Sequence, residues 1–154
     1  NVDMVLSAVG LAPRQTIAKE AGLSVNRGIV VNRELQTSAP GIYALGDCME
    51  VEGRVLPFIM PIMHASRALG KTLSGEPTRL TYPVMPVVVK TPAHPVVVSA
   101  PAPNSTGGWD IDVEVDGVRA IFRDNESNPI GFVLTGAKVK EKMALAKELP
   151  PVLA

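Results

Sequence analysis

The chain has 154 residues, enough for one ordinary domain or two small ones, and 46% are hydrophobic, which excludes wholesale disorder. Fifteen basic and fifteen acidic residues cancel, so net charge gives no support to a nucleic-acid partner or an anionic membrane surface. One cysteine, Cys48, excludes an internal disulfide and a CxxC pair, and no apolar run reaches the length of a membrane span.

The first residues carry no initiator methionine and no signal-peptide pattern, so the expected compartment is the cytoplasm. Residues 2–9, Val-Asp-Met-Val-Leu-Ser-Ala-Val, read as a buried strand broken by Gly10-Leu11-Ala12-Pro13. A chain that opens inside a strand is expected to be a piece of something longer. Thr16 to Ala21 suits a short helix closed by Gly22. Ile29-Val30-Val31 is β-branched and follows the turn signal Asn26-Arg27-Gly28. Ile42 to Leu45 reads as the next strand, and the polar stretch Glu50 to Arg54, with Gly53, as a loop or hairpin tip. Pro61 precedes a helical run, Ile62 to Leu73. Proline suits a first helical turn because its missing N–H costs nothing there. Ala65, Ala68, Leu69 and Leu73 give that helix an apolar stripe.

Composition shifts near residue 75, where Gly75-Glu76-Pro77 and Tyr82-Pro83 read as a linker. The expected division is 1–76 and 77–154. Val87-Val88-Val89 and Val96-Val97-Val98 follow, interleaved with prolines that imply edge strands or strand ends. Three more strands are expected at Asp110–Val115, Val118–Arg123 and Ile130–Leu134, the first two joined by the hairpin signal Asp116-Gly117. Trp109 is expected to anchor the core of this small sheet. Ala137 to Leu149 reads as a helix stopped by Pro150-Pro151. The fold class is therefore α/β to about residue 76, then a small α+β domain with an antiparallel sheet.

One stretch carries chemistry: Thr37-Ser38-Ala39-Pro40-Gly41-Ile42-Tyr43-Ala44-Leu45-Gly46-Asp47. It reads as a turn, an apolar strand, a glycine, and a carboxylate just beyond. Gly46 gives a ligand close access to backbone, and Asp47 can accept hydrogen bonds from ligand hydroxyls. Taken alone, Gly46-Asp47 also fits an ordinary turn or N-cap. The pattern Thr-x3-apolar-apolar-Ala-apolar-Gly-Asp resembles the second FAD-binding motif of the two-dinucleotide-domain flavoprotein reductases. Other blocks agree in order. Residues 3–13 are similar to the segment leaving the NAD domain in that family, and Gly28 to Asn32 to the return into its FAD domain. Val89-Lys90-Thr91-Pro92 and Val133-Leu134-Thr135-Gly136-Ala137 look like the C-terminal domain of rubredoxin-reductase-like members.

The resemblance implies the C-terminal portion of a two-dinucleotide-binding-domain flavoprotein. Asp47 would contact the FAD ribityl chain, with Gly46 giving backbone access. The helix end near Pro61, Ile62 and Met63 would face the flavin ring through the Ile62 and Met63 amides, where its partial positive charge favours reduced flavin. Lys90 is either a solvated strand-end lysine or a cation beside the isoalloxazine. His64 and His94 read as structural, Cys48 as a small buried residue, and two histidines alone make no metal site. No side chain here is assigned acid–base catalysis. The implied activity is electron transfer from NAD(P)H through FAD to a small iron carrier, rubredoxin foremost. Alternatives are a related reductase for ferredoxin, nitrite or oxygen, and a non-catalytic flavin-binding or interaction module. No GxGxxG fingerprint occurs, so the phosphate-binding wall of the FAD site is expected outside this chain. Thr91-Pro92-Ala93-His94-Pro95 lacks the His-Pro-Thr pattern of disulfide reductases.

Overall fold

The fold was obtained as a computed structural model and is described for residues 2–89 and 91–154. The chain forms two compact units, Asn1–Leu80 and Thr81–Ala154.

The first unit contains α1 (Thr16–Glu20), β1 (Ile29–Val31), β2 (Met49–Val51) and α2 (Ile59–Leu73). β1 and β2 pair in parallel, Ile29 opposite Met49 and Val31 opposite Val51. Between them the chain folds back on itself. The Asn32 side chain accepts from the amides of Glu34 and Gln36, and Gln36 bridges Tyr43. Leu35, fully buried with φ 67°, receives the Ala44 amide on its carbonyl at 3.0 Å. α2 buries Pro61, Ala65 and Ala68, an i, i+4, i+7 stripe.

Three sequence expectations fail in this unit. Residues 2–9 are exposed and form no strand, because no described residue pairs with their backbone and a lone extended segment has no ladder to join. Ile42 to Leu45 contributes only the single bridge at Tyr43, and the strand lies instead at Met49–Val51, running into the stretch read as a loop or hairpin tip; the tip itself is there, with Val51 and Arg54 exchanging backbone hydrogen bonds around Glu52-Gly53. The reason is Glu50, whose polarity suggested solvent but whose carboxylate is buried against amide donors. Leu73, assigned to the apolar stripe of α2, is 63% exposed; the stripe begins with Pro61 instead.

The second unit is a five-stranded antiparallel sheet, order β3-β4-β7-β6-β5, followed by a 3-10 segment, Gly136–Glu141, and α3 (Lys142–Glu148). Its strands are β3 (Val87–Val89), β4 (Val96–Ser99), β5 (Gly108–Glu114), β6 (Gly117–Arg123) and β7 (Pro129–Thr135). Pro86 and Pro95 sit just before β3 and β4, where no ladder amide is needed. Val97, Ile121, Phe132 and Leu134 share one sheet face and pack with Leu145 and Leu149 as the core.

The β5–β6 turn lies one residue earlier than the Asp116-Gly117 signal suggests, at Val115-Asp116, with Gly117 already paired to Glu114. A Cβ on Gly117 would come 2.2 Å from the Thr135 carbonyl oxygen, so close backbone approach explains that glycine. The helix expected over 137–149 begins as a 3-10 segment because its start is tied to the sheet. The Gly136 amide donates to Pro95 and the Ala137 amide to Asp116. Trp109 is 44% exposed on edge strand β5, set edge-on to Phe122, and does not anchor the core.

Candidate functional site

The turn after the Gln36–Tyr43 bridge places Gly46 at φ 99°, a conformation that favours glycine, and the space where a side chain would project is open. Met49 donates its amide to the Gly46 carbonyl at 3.3 Å, closing the turn around Asp47 and Cys48. Asp47 is exposed and makes no hydrogen bond or ion pair with any described residue. Its acceptor capacity is therefore available to a ligand.

Gly46, Asp47 and Cys48 line a cleft of about 480 Å³. Ile62 of α2 closes one side, Val55 and Pro57 the approach to that helix, and Leu11, Ala12, Pro13 and Arg14 the rest. The lining is mostly apolar, with one carboxylate and one guanidinium. Such a lining suits a mainly apolar ligand with a few polar groups for the carboxylate and guanidinium to meet.

The structure thus brings Gly46, Asp47 and Ile62 together. Met63 does not line the cleft and is 41% exposed. α2 starts at Ile59, three residues before the expected run, after Phe58, whose amide donates to Leu56 at 2.9 Å. Helix geometry then leaves the Ile59 and Met60 amides without a helical carbonyl, while those of Ile62 and Met63 fall inside the ladder. Lys90 lies outside the described residues. Arg14, Val55 and Pro57 were not singled out from sequence. The sequence marks Pro13 only as a strand breaker, and nothing local marks Arg14 or Val55 as cleft residues.

Three residues past Asp47 in the chain stands a buried carboxylate. Glu50 of β2 is 4% exposed and accepts from Asn26 Nδ2 at 3.0 Å and the Gly28 amide at 2.9 Å. Burial pushes its carboxyl upward. The Gly28 amide, the Asn26 side chain, and the backbone and charge of Arg27 outweigh that and hold it below the ordinary carboxylate value.

Two family models divide the chain: pyridine nucleotide-disulphide oxidoreductase over residues 1–71 and rubredoxin binding C-terminal domain over residues 79–149. A rubredoxin-NAD(+) reductase of Alcanivorax borkumensis is 55% identical over 98% of this chain and 40% of its own length. A nitric oxide reductase FlRd-NAD(+) reductase of Aliivibrio fischeri is 45% identical over 96% of this chain and 39% of its own. The chain thus spans about 40% of the length of these curated relatives. Among solved structures, an NADH:rubredoxin oxidoreductase from Clostridium acetobutylicum shares the fold with a TM-score of 0.75. It is 22% identical, and the match covers 92% of this chain and 37% of that one. The two parts of the chain thus match, in order, the pyridine nucleotide-disulphide oxidoreductase model and the rubredoxin binding C-terminal domain model, and the 55% identity to a rubredoxin-NAD(+) reductase runs across both.

Proposed function

We propose that this chain supplies one wall of the FAD site and the acceptor-binding domain of a reductase that takes electrons from NAD(P)H and delivers them to rubredoxin. The observation that carries the reading is the unpartnered Asp47 carboxylate beside the open face of Gly46 in a largely apolar cleft. FAD, when bound, supplies the exchange between a two-electron donor and a one-electron carrier. Asp47 accepts from the ribityl hydroxyls, and Gly46 lets that chain lie against backbone. Ile62 and the apolar wall keep water from the ring, and Arg14 balances anionic charge. The start of α2 carries partial positive charge at the Ile59 and Met60 amides, which would favour a reduced, negatively charged flavin held near that helix end. Lys90 is assigned a place near the ring by sequence resemblance. The 55% identity to a rubredoxin-NAD(+) reductase supports the acceptor.

A second reading is favoured by the relative named as a nitric oxide reductase FlRd-NAD(+) reductase: the FlRd of a nitric oxide reductase as acceptor in place of rubredoxin. The compartment proposed is the cytoplasm. Cys48 stands alone, and no described helix is long and apolar enough to cross a membrane. The test uses the full-length protein. NADH or NADPH should bleach its flavin spectrum anaerobically, and stopped-flow mixing should show reoxidation by rubredoxin faster than by ferredoxin. A flavin that neither nucleotide bleaches contradicts the reductase reading. Faster reoxidation by ferredoxin contradicts the acceptor.

A further inference from the structure

We propose that Glu50 is a positioning residue for the Gly46–Asp47 corner, a buried carboxylate that fixes where Asp47 stands without touching the ligand; this rests on the FAD reading above. Glu50 does not line the cleft, yet it follows Asp47 by only three residues. Its two oxygens gather the Asn26 side-chain amide and the Gly28 amide, at 3.0 and 2.9 Å. They hold the 26–28 turn flat against the strand that leaves the corner. Gly28 is pressed so closely that a Cβ there would sit 2.8 Å from the Cys48 carbonyl oxygen and 2.9 Å from the Met49 carbonyl carbon. The next amide, Ile29, donates to that same Cys48 oxygen at 2.7 Å. Cys48 is thus gripped by the turn that Glu50 secures, and its other neighbour in the chain is Asp47.

The chemistry calls for a carboxylate here. Donors converge on both oxygens, and the Gly28 amide cannot be reversed as a side-chain amide can, so a carboxylate suits both at once. A glutamine would fill the same volume but turn an NH₂ toward one of those donors. The turn would then lift and let Cys48 and Asp47 shift, which a hydrogen bond to a ribityl hydroxyl tolerates poorly.

The test is a double-mutant cycle on FAD affinity in the full-length protein, with Asp47→Ala, Glu50→Gln and the pair, read by flavin fluorescence on dilution. Glu50→Gln should weaken FAD about tenfold, the order of one lost hydrogen bond to a charged group. The double variant should bind only about as weakly as Asp47→Ala, because Glu50 acts through Asp47. Asn26→Ala removes one exposed donor and leaves the carboxylate. It should weaken FAD by a smaller factor and cover the case in which Glu50→Gln does not fold. FAD binding by Glu50→Gln or Asn26→Ala equal to wild type, or fully additive losses, overturns the positioning role. If Asp47→Ala itself binds FAD like wild type, the FAD reading of Asp47 fails instead, a separable result.

Discussion

At the level of single residues, two glycines and two acids shape the cleft corner: Gly46, Gly28, Asp47 and Glu50. Gly46 has room for a side chain but holds φ at 99°, so Gly46→Ala is strained for conformational reasons alone. It should cost about 1–3 kcal/mol in thermal or urea unfolding of the apo-protein. Gly28 is the opposite case. Its conformation is ordinary, but backbone atoms of Cys48 and Met49 lie where its Cβ would go. Gly28→Ala should destabilise by about 1–3 kcal/mol and release FAD as the corner moves, readable by urea denaturation and flavin fluorescence. Gly46 and Asp47 were legible in sequence because their meaning is local: a turn glycine followed by an exposed acid. Glu50 was not, because its partners are Asn26 and Gly28, which only folding brings to it.

At the element scale, β-branched runs and turn residues predicted the strands of the second unit well, because hairpin pairing there is between neighbours in sequence. They failed at Trp109, whose size suggested a core position. Strand order placed β5 at the edge, and strand order is not written in any one segment. The core is instead centred on Phe132, fully buried between Ile121 and α3. Phe132→Ala should therefore lower the stability of the second unit by about 3–5 kcal/mol in urea denaturation. Trp109→Ala should cost far less. The three acids of β5, Asp110, Asp112 and Glu114, alternate with its apolar side chains and discourage edge-to-edge pairing.

Tyr82 ties the end of the chain to the start of the second unit, exchanging backbone hydrogen bonds with Leu153 at 2.8 and 3.1 Å. Burial pushes its phenol up to about 12 from an ordinary 10.0. A raised folded value means the stabilisation is complete below pH 10 and is lost as pH rises from there toward 12. Melting curves at pH 9 and pH 11.5 should show wild type losing more stability than Tyr82→Phe across that interval. Equal losses would contradict the burial account.

At the scale of the whole molecule, the chain divides its labour between two units. The first presents an apolar cleft with one unpartnered carboxylate; the second is a sheet with a packed core on one face and matches a rubredoxin-binding domain. We assign the hold on FAD in this chain chiefly to Asp47. The most direct measurement is the FAD dissociation constant of the full-length protein against its Asp47→Ala variant, with circular dichroism confirming that both are folded. A charged hydrogen bond of roughly 1.5–3 kcal/mol corresponds to about 10- to 150-fold weaker binding in the variant. Equal dissociation constants in two equally folded proteins would contradict the account.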